Sequence, residues 1–161
     1  MNYSKDKFLL STLLAIGELE NSLGSEAKDA LYVIAEQLFV KPTAWETDIE
    51  SNLMGIINEN SSLSTIFQDF KSKLDEVDNI YDFIPTQEEL EAVIPAAALK
   101  HTRPIIKPNS SDLTSEEEIT NMSMQVLSSP EPSEIAKEIV KKSSKLERLL
   151  NLIRPNRSKN K

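Results

Sequence analysis

Apolar residues recur along most of this chain at three- and four-residue intervals, the period of an α-helix with one buried face. The broadest stripe lies in residues 27–40, where Ala27, Leu31, Ile34 and Leu38 follow one another and Ala30, Val33, Ala35, Phe39 and Val40 widen the face. A helix apolar around that much of its circumference is expected at the centre of a bundle. Upstream, Leu9, Leu13, Ile16, Leu19 and Leu23 predict a helix over residues 4–23, with Ser4 as its cap and Gly24 as a left-handed residue closing it. Ser25 opens the next helix and Lys41, standing before Pro42, closes it, because proline pushes the preceding residue out of the helical region. The short connection predicts that these two helices pair as an antiparallel hairpin.

Downstream, Thr43 and Glu46 have capping-box spacing. Trp45, Ile49, Leu53 and Ile56 continue behind them as a third helix to Asn58, with Trp45 read as a core anchor in register with the stripe. A polar break over 58–62 separates it from a fourth helix carrying Leu63, Ile66, Phe67, Phe70, Leu74 and Val77. Thr86 and Glu89 repeat the capping box ahead of Leu90, Val93 and Ile94, and Pro95 stops that helix before a short one over 96–100. The proline- and serine-containing segment to Asp112 reads as a linker, with Ile105 and Ile106 free to pack back as a strap.

A third box, Thr114 with Glu117, opens a weakly amphipathic helix to Leu127, stopped by Pro130 and Pro132. Ser133 then caps a long helix to Ile153, whose one side holds Ile135, Ile139, Ser143, Leu146, Leu150 and Ile153 and whose other side holds Lys137, Lys141, Lys145 and Arg148. The expected fold class is therefore all-α: an N-terminal bundle of about five helices over residues 1–99, a linker over 100–112, two C-terminal helices over 113–154 and a disordered basic tail over 155–161.

Charge adds an asymmetry to this picture. The net charge is −8, but residues 1–100 hold seven lysines and no arginine against eighteen acids, whereas residues 134–161 hold nine basic residues against three acids. An acidic body with a basic end confines any contact with an anionic partner to the C-terminal region. The apolar run after Lys5 and Lys7 is interrupted by Ser11 and Thr12 and preceded by Asp6, which argues against a secretory leader, and no stretch spans a bilayer, so a cytoplasmic protein is expected.

Candidate chemistry changes little. With no cysteine, thiolate zinc sites, disulfides and cysteine nucleophiles are excluded. His101 is the single histidine, and no G-x-S-x-G elbow, phosphate-cradling glycine loop or Glu-x-x-His pair accompanies it. The acids from Asp75 to Asp82 look like a cation loop, yet Ile80 and Thr86 stand where an EF-hand needs glycine and glutamate. No enzyme activity, cofactor or metal is expected.

The remaining reading is a protein-interaction module, an adaptor or regulatory subunit that binds another protein or itself. Its candidate surfaces are the acidic face and the last long helix, with Ile139, Leu146, Leu150 and Ile153 as the apolar contacts and Lys141, Lys145 and Arg148 as the charged ones. That helix docks on the bundle, on a second copy or in a partner's groove. As a coiled coil it is weak, because Lys142 falls at a core position of the heptads. The alternative is a nucleic-acid-associated regulator contacting phosphates only through residues 137–161, and a membrane-surface role for the same helix lacks the usual aromatic anchors.

Overall fold

The computed structural model describes residues 3–20, 23–86, 88, 89, 92, 115–129 and 131–153. The expectations for residues 93–112, including the Pro95 stop, the linker and His101, and for the tail 155–161 lie outside the described residues.

The chain is all-α, with seven α-helices and no strand among the described residues. They are α1 (Tyr3–Glu18), α2 (Ser25–Val40), α3 (Glu50–Asn58), α4 (Ser61–Leu74), α5 (Ser115–Leu127), α6 (Pro132–Lys142) and α7 (Ser144–Ile153). A 3-10 turn (Pro42–Ala44) and a π-helical turn (Trp45–Ile49) lead into α3, and a second 3-10 turn (Ile80–Phe83) follows α4. The Thr43 side chain is not the cap of the third helix: the wider π turn starts from Ala44 without a side-chain cap, and both Trp45 and Ile49 reach the core from it.

The centre of the molecule is not residues 27–40. α2 buries one face only, Leu31, Ile34, Ala35 and Leu38, and leaves Val33 and Val40 exposed. The two helices enclosed on all sides are α1, buried from Lys5 to Ile16, and α5, buried from Ile119 onward. α1 packs on α4, α5 and α6, while α2 packs on α5 and α3, so the expected α1–α2 hairpin does not form. α1 ends at Glu18 rather than near Leu23, and Gly24 is extended (φ −68°, ψ 164°), serving as the residue before α2 instead of a left-handed cap.

The sequence predicts α5 but not its burial, which is eased because the Ser123 and Ser128 hydroxyls are satisfied by backbone carbonyls one turn back. Ser123 Oγ donates to the Ile119 carbonyl at 2.8 Å and Ser128 Oγ to that of Met124 at 2.6 Å, as Thr12 Oγ1 does to Phe8 in α1. A hydroxyl satisfied four residues back along its own helix can be surrounded by apolar neighbours at little cost. Around these two helices one apolar cluster runs from Phe8 through Trp45, Phe67 and Ile80 to Met122, Ile139 and Ile153. Phe8 meets the Trp45 ring edge-on at 5.3 Å and the Phe67 ring at 4.9 Å, joining α1 to α4 and the π turn. Residues on either side of the 100–112 segment therefore share a core.

The predicted long helix over 133–153 is two helices. At Ser143 the backbone is extended (φ −95°, ψ 112°), its N–H closes α6 by donating to the Ile139 carbonyl at 2.9 Å, and its Oγ accepts from Leu146 N–H at 3.3 Å to open α7. Serine is suited to such a junction because its side chain competes for backbone groups. The break lets the apolar stripe be used twice, α6 against α1 and α7 against the Ile80–Phe83 turn and α4. The start of α6 also differs from expectation: Pro132 occupies its first turn after Glu131, and Ser133 is buried within it.

Candidate interaction surface

The residues expected to contact a partner through the last helix are turned inward. Ile139 and Leu146 line, with Leu10, Leu13, Met122 and Val126, a void of about 10 Å³, too small for more than one water. Leu150 and Ile153 are likewise buried. The apolar stripe is thus covered within a single chain. The α6 half is covered by α1 and α5, and the α7 half by α4 and the Ile80–Phe83 turn.

Two of the three charged candidates, Lys145 and Arg148, are also drawn into contacts with their own chain. Lys145 Nζ lies 3.1 Å from Glu89 Oε1, and the Arg148 guanidinium stands over the Phe83 ring at 5.9 Å. Lys141 is exposed on an open groove between α1, α6 and α7, whose charges balance: Lys137 and Lys141 against Glu18 and Glu147. Lys137 Nζ donates to the Leu19 carbonyl and Lys142 pairs with Glu138 at 3.1 Å.

Glu89 sits in the capping box the spacing anticipates. Thr86 N–H donates to its Oε1 at 2.9 Å and its own N–H donates to Thr86 Oγ1 at 3.2 Å. The Thr86 amide and then Lys145 hold the Glu89 carboxyl below its ordinary range. Glu118, on α5 nearby, is pushed the other way, chiefly because burial penalises its charge, with Lys145 partly offsetting and Glu89 adding to the rise. One lysine thus serves two carboxylates in opposite environments. The Lys145–Glu89 pair ties α7 to the Thr86–Glu89 capping box.

Among the described residues no group of three or more histidines, aspartates or glutamates is placed to hold a metal ion, and no helix is long and apolar enough to cross a membrane.

The surface that sequence periodicity misassigned to the core is the outward face of α2. Four large apolar residues are exposed in the described structure: Tyr32 at 39%, Val33 at 53% and Val40 at 73% on α2, and Leu152 at 63% on α7. On the helical wheel Tyr32, Val33 and Val40 lie opposite Leu31, Ile34 and Leu38, interleaved with Glu26, Asp29 and Glu36. The face is therefore apolar and acidic at once. Its signal in the sequence was the very width of the stripe, which exceeds what one buried face requires.

Comparison with known proteins returns no match to this chain from family models, curated proteins or solved structures.

Proposed function

We propose that this chain is a non-enzymatic protein–protein interaction module that uses the outward face of α2 to hold a cationic, apolar-faced helix of a partner protein. The observation that carries this reading is the exposure on one helix of Tyr32, Val33 and Val40, three of the four large apolar residues exposed among the described ones. Sixteen residues give α2 a length of about 24 Å, enough for a partner helix of three to four turns laid along it. The chemistry of the occupant follows from the acids between the apolar contacts. Glu26, Asp29 and Glu36 favour lysine or arginine at matching positions. A second copy in the same contact would bring like charges together, and a nucleic-acid backbone would meet the acidic side of the molecule.

The test is a side-by-side capture from source-cell extract with the wild-type chain and Val33→Glu/Val40→Glu, each recovered protein then purified and titrated directly. Both substitutions are at exposed positions, so an unchanged melting temperature is expected. Support is a protein with a basic helical segment that binds the wild type saturably and loses about tenfold or more in affinity for the variant. Capture patterns that do not differ between the two chains, or bound material that nuclease removes, overturn the reading.

A further inference from the structure

The fourth exposed apolar residue marks a separate site. Leu152 borders an open groove of about 450 Å³ whose lining combines Val77, Phe83, Leu152 and Ile153 with the acids Glu76, Asp78 and Asp82. Its lysine, Lys73, is paired with Asp69 at 3.4 Å, so the groove is predominantly anionic beside an apolar wall. Phe83 already receives a guanidinium, that of Arg148, at 5.9 Å.

We propose that this groove binds an arginine-containing peptide segment of a partner protein, in which arginine alternates with an aliphatic residue. Arginine suits both parts of the lining, since its methylene stem lies along apolar surface while its planar head pairs with carboxylates. Leu152 and Val77 offer the aliphatic neighbour a contact that removes it from water. A small anion is disfavoured by the three acids, and a purely apolar ligand would desolvate the Glu76 and Asp82 carboxylates without pairing them. The proposal stands on groove residues that take no part in the α2 face, so either can fail without the other.

The experiment is a fluorescence-anisotropy titration of the full chain with a labelled hexapeptide alternating leucine and arginine, alongside the same peptide with glutamate replacing arginine. Saturable binding of the arginine peptide alone is expected. Glu76→Gln/Asp82→Asn and, separately, Leu152→Ser each weaken it about tenfold, whereas Glu46→Gln/Glu59→Gln, which removes equal charge from exposed positions elsewhere, changes it by less than about twofold. All these positions are exposed, and melting curves of each variant are expected to match the wild type. Equal weakening by the Glu46/Glu59 pair would reduce the effect to net charge and overturn the site. So would absence of saturable binding, or loss caused by Val33→Glu/Val40→Glu in place of the groove variants.

Discussion

Lys145 pairs with Glu89 and acts on the more buried Glu118 through space, and the difference between the two glutamates makes a prediction about pH. Glu118 binds its proton more tightly folded than unfolded, so its charge costs stability at neutral pH and that cost is relieved as pH falls through the raised folded value. Glu89 runs the opposite way: its contribution is present above the ordinary unfolded value and is lost only as pH falls through the depressed folded one. Glu118→Gln is therefore expected to raise the melting temperature at pH 7.5, with the gap from wild type closing as pH falls toward about 4.3, the ordinary value for glutamate. Thermal melts across that range check it, and a gap independent of pH would remove charge burial as its cause. Only half of this pairing was legible beforehand. The Thr86 and Glu89 box follows from local spacing, but nothing local places Lys145 beside Glu89, 56 positions further along the chain.

Among the helices, the decisive feature is the break at Ser143. A continuous helix over 133–153 would carry its stripe in one direction, whereas two short helices turn it toward α1 and then toward α4 and the Ile80–Phe83 turn. Removing the cap with Ser143→Ala is expected to cost about 1 kcal/mol, read as a lower urea midpoint at an unchanged slope, and Ser143→Asn to restore most of it. A midpoint equal to wild type for the alanine variant would show that the Oγ contact with Leu146 N–H contributes nothing. The break was hard to see because serine is tolerated within helices and fits the seven-residue spacing between Ile139 and Leu146. Asn60, by contrast, lies in the polar interval the pattern marked as a break, and its Oδ1 accepts from Leu63 N–H at 3.0 Å to start α4.

Taken as one molecule, the chain closes its core with its C-terminal third. Leu10, Leu13 and Leu14 of α1 rest on Met122, Val126, Ala136 and Ile139, so residues 1–100 keep α4 but lack the other surfaces that cover α1. A fragment of residues 1–100 is expected to lose cooperative thermal unfolding and the near-ultraviolet circular dichroism of Trp45, the sole tryptophan. A sharp melt with native tryptophan asymmetry would instead establish an independent N-terminal bundle. The same enclosure explains why the stripe through Ile139, Leu146 and Leu150 faces the core, and leaves Tyr32, Val33 and Val40 on α2 and Leu152 on α7 as the large apolar residues exposed among the described ones.

Helical class, most helix positions and the identity of the apolar residues were readable from order along the chain, because hydrogen bonding within a helix is local and its period imprints on the pattern. Which helix lies innermost was not. Periodicity counts each serine, asparagine and glutamine of α5 as turned to water, although a backbone carbonyl one turn away satisfies Ser123 and Ser128 equally well. It also counts Val33 and Val40 as buried, although burial depends on what other helices leave uncovered. Those outcomes rest on contacts between residues far apart in the chain, and no stretch of sequence contains them.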